Sequence, residues 1–548
     1  MNYAAADIKS NGQLISATYE LLYIDIKNEY NRIPYAELGF LDGDLATQEY
    51  TISESSDFEP GCDIEIYLYY SGSQKTLVFK GIVLKQSLQY NRSGCMLVIE
   101  MSDAVIKSTT ARKSNVYKNL EDSAIIQKLI GNNSLQAGSI DKTEVKHEKI
   151  VQYNTTDWDF MLSRAEANGL LFSVKNGVIS AKMPALQGNA SVTYKFGIDP
   201  IYDFEMEADG THQFKQILAS SWDPKKQQAT SPVSAKDFSL KQGNFNAAKI
   251  AGDVGGNSEV LLSATELQPM EAKAWANSKM MRSRLSLLKG RFKIEGSAAI
   301  EVGSLIQISG VGKRFSGKTL VTGIHHAFSS EGWVTNIQFG LSAEWLTSKT
   351  NVTYPKAAGL LPGVNGLQVG VVTKWQADPE KENRIGVMLP SINKDTEVWS
   401  RLATPFAGNK AGIFFQPDPG DEVILGFLND DPRQPVILGS VHSSGNASPL
   451  EPADKNPEKG IVTKSGIKIL LNDDKQTVVI QTSEKNIITI NDKDKKIELK
   501  DANNNIVSLS ADGITLDSGK DVIIKAKGNI KMQASAKVEI KGSAIDIT

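Results

Sequence analysis

Towards the end of this chain, apolar residues come in pairs two positions apart: Val507 and Leu509, Ile514 and Leu516, Val522 and Ile524, Ile530 and Met532, Val538 and Ile540, Ile545 and Ile547. The step from pair to pair is 7, 8, 8, 8 and 7 residues. Successive side chains of a strand point to opposite faces, so each pair marks one face of a short strand. A short fixed step of this kind marks a β-solenoid or β-prism. Gly, Asn, Asp, Ser and Lys fill the intervals, and no aromatic residue follows Phe427. One such ribbon cannot bury its own pairs. Burial worth roughly 25 cal/mol per Å² needs a surface to close against. The pattern therefore predicts a three-chain intertwined prism over residues 461–548. Strands of the three chains stack about 4.7 Å apart, with Val522, Ile524, Ile530, Met532, Val538 and Ile540 facing the axis. A left-handed single-chain solenoid competes, but it favours larger coils with hexapeptide regularity.

Upstream the period changes. Residues 1–350 alternate or cluster β-branched and aromatic residues between Gly-bearing turns, as at 64–70 and 77–84. Helices are predicted at 120–130, from a cap at Thr155 or Thr156 to before Gly169, and at 269–288, where Pro269 opens the first turn. Residues 351–366 carry Pro355 and Pro362 among glycines and read as a linker. Five short strands are predicted at 369–375, 385–389, 398–403, 422–428 and 436–441, split by Asp-Pro, Pro-Gly-Asp and Asn-Asp-Asp-Pro turns. They suit a small OB-type barrel over 367–446. A second Pro-rich linker, 447–460, leads to the repeat. The fold class is mainly β, in several domains.

Composition narrows the function. Sixty basic residues nearly balance 63 acidic ones, for a net charge of -3. Such a chain has no field to favour nucleic acid or an anionic membrane. Cys62 and Cys95 are the only cysteines, so no disulfide framework is expected, only buried thiols. No stretch approaches the ~18 apolar residues of a membrane helix. The first residues lack a basic segment followed by an apolar one. The expectation is a product made in the cytoplasm without a signal peptide and exported only by a machine.

Three segments resemble one family. Gln152, Tyr153, Phe160, Arg164, Glu166 and Gly169 stand as in the "QY…F…R-x-A-E-x-x-G" segment of VgrG-type spike proteins. Val302-Gly303-Ser304-Leu305-Ile306, followed by Gly317 to His326, is similar to the end of that family's hub barrel. Residues 414–441, around Gly420-Asp421-Glu422-Val423 and Asp431-Pro432, resemble its OB signature over nearly 30 positions. The order hub, OB unit, repeat is also the family's. The resemblance implies tail-hub-like β-barrels with helical insertions in 1–350, and a homotrimer seated on a hexameric inner-tube protein among baseplate components. It implies further a PAAR-type tip protein docking at Ile545, Asp546, Ile547 and Thr548, with effectors carried. The linker between OB unit and needle is too short for the lysozyme that the phage spike carries there, and no effector domain is expected after the repeat.

Other patterns mimic chemistry. Gly312 to Thr319 fits the P-loop pattern, but the β-branched, Gly-interrupted residues that follow read as a strand, whereas a phosphate site needs a helix there. His325 and His326 are adjacent and would point to opposite faces, so they cannot chelate one metal together. Across a trimer, a single His meeting its symmetry mates is the remaining metal geometry. Asp418, Asp421, Glu422, Asp430 and Asp431 are dense in carboxylate but lack the alternate spacing of a calcium loop and read as turns. The expected function is thus mechanical, with no catalytic residue, cofactor or metal. The alternative is a secreted carbohydrate-active enzyme or adhesin on a β-helical stalk, which needs an export signal and an acidic or aromatic cleft.

Overall fold

The structure is a computed structural model describing residues 3–547, apart from 45, 92–93, 239–242, 255, 349–351, 353–354 and 392, and apart from the side chains of 393–396. The chain divides into two compact units, Met1–Tyr354 and Pro355–Thr548.

The first unit is built on a 13-stranded sheet. Along its main path the strands run Ile201–Ala208, Leu288–Glu295, Gly332–Phe339, Gly317–Ser329, Glu20–Glu29, Tyr35–Leu41, Gly94–Ser102, Thr76–Asn91, Asp63–Tyr70, Ala4–Ser10 and Gln13–Leu14. The sheet serves two cores. Ile24, Ile26, Leu38, Phe40, Ile64, Ile66, Leu97 and Ile99 fill one, every second residue of their strands. Phe292, Ile306, Ile308, Val321, Ile337 and Phe339 fill the other. Strand Gly317–Ser329 joins the halves by pairing with Glu20–Glu29. The barrels expected of a hub are thus two halves of one continuous sheet.

The helices lie close to their predicted places. Asp122–Asn132 and Asp157–Ala167 share a core of Ile125, Ile126, Leu129, Trp158, Met161 and Phe172. Thr156 caps the second helix, its hydroxyl accepting from the Asp159 amide at 3.0 Å. Gly169 follows the helix at φ +75°, the left-handed region that glycine enters freely. The third helix, Pro269–Leu285, stops short of 288 because Leu288 already starts a strand. Sequence patterning missed the helix Ala247–Asp253. Among the described residues no helix is long and apolar enough to cross a membrane. Both cysteines are free, Cys95 buried and Cys62 half-buried.

In the second unit, Gln368–Lys374, Ile385–Leu389, Asn393–Leu402, Pro435–Ser440 and Glu422–Phe427 close into a barrel in that order. The turn at Gly420 explains one family signature. Gly420 takes φ +99°, the Asp418 amide donates to Asp421 Oδ2 at 2.8 Å, and the Gly420 amide donates to the Val372 carbonyl while the Val372 amide donates to the Asp421 carbonyl. Beyond the barrel, seven strands from Glu458–Val462 to Gly513–Asp517 form one antiparallel meander.

Candidate functional site: an uncovered apolar sheet face

The meander differs from the expected strand pairing in one respect. From 458 to 517 each strand hydrogen-bonds to its own neighbour in sequence, not to another chain. The cause is a second period. Its apolar pairs begin at Ile469, Val478, Ile488, Ile497 and Val507, steps of 9 or 10 residues. Each interval holds a reversal with a residue at positive φ: Gln476, Lys485, Lys495 and Asn504. Nine or ten residues allow a five-residue strand and a turn that folds back, and the step of seven from Val507 to Ile514 still does so through a two-residue turn at Ala511-Asp512; the steps beyond Leu516 carry no such reversal. Residues 518–547 accordingly form no strand within the chain, and 519–547 are exposed throughout.

Register gathers the apolar pairs on one face. Ile469 stands opposite Ile480, Ile480 opposite Ile488, Ile488 opposite Leu499, Leu499 opposite Val507 and Val507 opposite Leu516. A parallel column runs Leu471, Val478, Ile490, Ile497, Leu509 and Ile514. Val522 borders the groove that Ile480, Ile488, Leu499, Val507 and Leu516 line, so it extends the first column. The reverse face carries Leu470, Val479, Thr489, Glu498, Ser508 and Thr515 in the middle, with Lys468, Ile487, Lys496, Lys500 and Ile506 at the margins, so it is mixed at its first strands and polar from Thr489 on along its middle. Ile469, Leu471, Ile480, Ile488, Ile490, Ile497 and Leu499 are each 40–43% exposed in the single chain. Full burial of such a side chain is worth about 1.5–3 kcal/mol, so a dozen of them leave on the order of 10 kcal/mol unrealised per chain.

The predicted needle core is even barer: Val522 56%, Ile524 66%, Ile530 52%, Met532 70%, Val538 52% and Ile540 57% exposed. Ile545, Asp546 and Ile547 are likewise exposed. Thr548 lies outside the described residues. Sequence reasoning found the pairs from Val507 onward and missed the columns before it. The signal was present in the same i, i+2 spacing at a longer step.

The residues that mimic chemistry are engaged in structure. Gly312–Phe315 is one helical turn where a plain turn was expected, and the strand Gly317–Ser329 follows it directly. Lys318 Nζ donates to the Gly188 carbonyl at 2.5 Å. His325 meets Asp25 Oδ2 at 2.5 Å, while His326, on the opposite side of the strand, is buried beside Trp333 and Thr335. Asp431 holds Arg433 at 2.6 Å and Asp430 lies 3.5 Å from Lys356.

The segment that resembles VgrG-type proteins, around Gln152 to Gly169, is a set of buried polar joints. Tyr117 donates to Gln152 Oε1 at 2.9 Å, and Gln152 Nε2 donates to Asp157 at 2.9 Å. Arg164 forks onto Asp122 with Nε at 2.7 Å and Nη2 at 2.9 Å. Asp122 also meets His147 at 3.0 Å and accepts from Asn168 at 2.8 Å. Burial would raise the Asp122 carboxyl, but hydrogen bonds from His147 and Arg164 and the guanidinium charge outweigh it. They hold the group well below the ordinary carboxylate range. Glu166 grips Arg282 at 2.6 Å and accepts the Leu346 amide at 2.8 Å.

Comparison with known families follows this division. Residues 1–330 match the Alg8 N-terminal domain. Residues 368–442 match the type VI secretion system/phage-baseplate injector OB domain, and 477–548 the phage baseplate V C-terminal trimerisation domain. The spike protein VgrG3 of Vibrio cholerae is 30% identical over 112 residues, 19% of this chain and 11% of its own length. VgrG5 of Pseudomonas aeruginosa is 33% identical over 98 residues, 16% of this chain and 12% of its own. The chain thus spans only about a tenth of the length of these relatives. A 43 kDa prophage tail protein of Shewanella oneidensis superposes with a TM-score of 0.47 at 10% identity, covering 62% of this chain and 98% of its own. Residues 1–330 belong to the Alg8 N-terminal domain family, and by the matches of its injector barrel and trimerisation tail and by these relatives the chain belongs to the VgrG-type spike proteins of contractile injection systems.

Proposed function

We propose that three copies close the apolar faces of their C-terminal sheets against one another and that the resulting needle leads the spike through a target envelope. The observation that carries this is the two-column apolar face, continuous over six strands and uncovered in one chain. The match of 477–548 to a trimerisation domain supports the number of copies. A sheet whose continuous apolar columns stand on one side needs a partner chiefly on that side, and three such walls enclose an axis. From 518 on, where strands have no partner in their own chain, the three chains wind round that axis and pair with each other.

In this reading residues 1–350 form the hub on the hexameric inner tube, 351–366 and 447–460 are linkers, 367–446 is the OB collar and 461–548 the needle. The exposed end at Ile545, Asp546, Ile547 and Thr548 receives a PAAR-type tip protein, and the spike carries effectors outward when the sheath contracts. The chain's own work is mechanical. Light scattering of the full chain is expected to give three times 59.6 kDa. A stable folded single copy at micromolar concentration would refute the assembly.

A further inference from the structure

The small net charge of the chain conceals a segregation along its length. Of 60 basic and 63 acidic residues, six lysines and three carboxylates fall in 518–548, so that segment carries +3. The remaining 517 residues, with 54 basic against 60 acidic, carry -6. The change is abrupt. The meander from 458 to 517 is balanced, nine lysines against ten carboxylates, and that balance is enough to keep a surface solvated. Basic excess begins where strands cease to pair within their own chain.

Alternation places this charge on the outside. In the threefold reading Ile524, Ile530, Val538 and Ile540 face the axis, and Lys525, Lys531, Lys537 and Lys541 each stand next to one of them, on the opposite face. Glu539 shares that outer face and meets Lys537 at 2.7 Å and also Lys541. Among the described residues no carboxylate lies within ion-pair distance of Lys520, Lys525, Lys527 or Lys531. Ile523 is the one large apolar residue of 518–548 outside the pairs; it points outward two residues from Lys525 and is 72% exposed. Three copies bring nine net positive charges and three such isoleucines together over about four layers, ~19 Å of shaft. Lysines around an exposed apolar side chain suit an anionic bilayer surface: the ammonium groups meet lipid phosphates and the apolar group enters between headgroups.

We infer that this lysine belt, residues 520–541, binds the phosphate headgroups of an anionic bilayer. The inference rests on the needle reading above and names the chemistry of the surface that the needle meets. Nucleic acid would meet the same lysines but give Ile523 nothing to enter. The rest of the molecule repels that surface, at three times -6 charges, so attraction is confined to the needle's end. A net charge of -3 for the whole chain, which speaks against an anionic membrane, averages over two ends of opposite sign.

Flotation of the full chain with vesicles of phosphatidylglycerol and phosphatidylcholine in equal parts tests this. Binding is expected in about 0.15 M salt, where charges are screened over about 8 Å, and should fall about tenfold or more in 1 M salt, where they are screened over about 3 Å. Vesicles of phosphatidylcholine alone should bind equally poorly. Lys525→Glu combined with Lys531→Glu takes the segment from +3 to -1 per chain at outward positions. It should weaken vesicle binding about tenfold or more while light scattering still gives three copies. Ile523→Ser should weaken binding to vesicles but leave any binding to duplex DNA unchanged, which separates a bilayer from a free polyanion. Inorganic phosphate at the same phosphate concentration should not displace the vesicles, which separates a headgroup surface from the free ion. Absence of vesicle binding, equal binding to neutral vesicles, undiminished binding by the double variant, displacement by free phosphate, or indifference to Ile523→Ser each overturns the belt and leaves the needle standing. A single-copy mass overturns both.

Discussion

Asp122 is the first residue of its helix, 1% exposed, and its carboxylate makes four hydrogen bonds to three residues, His147, Arg164 and Asn168. Such a group is strongly tied to its partners, because removing one leaves a charge buried and uncompensated. Arg164→Leu is therefore expected to lower stability by about 3–5 kcal/mol. Glu271→Gln, whose carboxylate lies 3.7 Å from Arg164 at the cluster's more exposed rim, should cost less than about 1 kcal/mol. Thermal or urea unfolding checks both, and equal losses would mean the cluster is not organised around Asp122. His326 gives a pH signature. Burial, and then the charge of neighbouring His325, push its pKa from the ordinary 6.5 down to about 4. Its Nδ1 accepts from the Trp333 indole at 3.3 Å, a bond that protonation there would abolish. Between pH 6.5 and 4 the unfolded chain binds a proton that the folded chain refuses, so acidification favours unfolding. This group's contribution is complete above pH 6.5 and falls by roughly 3 kcal/mol on the way to pH 4. In His326→Gln the loss of stability over that window should shrink by about this amount, and unchanged slopes would remove His326 as the cause. Sequence alone showed Arg164 and Glu166 as family marks. It did not show their partners Asp122 and Arg282, which stand 42 and 116 residues away and meet only in the tertiary fold.

At the scale of elements, local signals were the legible ones. The Thr156 cap, Pro269 at a helix start and the turn around Gly420 each act within a few residues, and each stands where it was read. The continuous sheet of the first unit was not legible, because the pairing of Gly317–Ser329 with Glu20–Glu29 joins segments some 300 residues apart. The tail was half legible. Its pairs announced strands but not which of them fold back on their own chain: the steps up to Ile514 carry turns, and the steps beyond Leu516 do not. The face assignment makes a sharp prediction. Ile490 lies on the apolar face and Thr489 on the polar one. Ile490→Asp places three carboxylates against the axis and should cost several kcal/mol per trimer, whereas Thr489→Asp should cost under about 1 kcal/mol. The same contrast holds beyond the meander, where Ile530→Asp should disrupt assembly and Lys531→Asp should not. Sedimentation or native mass spectrometry of the four variants decides it, and equal tolerance at 489 and 490 would mean that the face is not an interface.

At the scale of the whole spike, the two steps fix a length. Strands in a sheet lie about 4.7–4.9 Å apart. The seven strands from 458 to 517 make six spacings, about 28 Å of wall in which each face belongs to one chain. Four more pairs follow, at Val522, Ile530, Val538 and Ile545, each with its partner two residues on. At one layer per pair they add about 19 Å, so the shaft should measure roughly 50 Å from residue 458 to the tip. The two parts must also differ in kind. The lower part should be three flat walls with turns at their edges, centred on Gln476, Lys485, Lys495 and Asn504, and the upper part a winding of three chains about one axis. Deleting one upper repeat, residues 526–533, keeps the step of eight and should shorten the shaft by about one layer, ~5 Å, while leaving three copies together. Deleting four residues there breaks the pairing of apolar residues and should prevent the upper part from ordering. Electron microscopy of the two deletions separates the cases. A shaft near 100 Å, or an ordered tip after the four-residue deletion, would show that the layers do not follow the repeat.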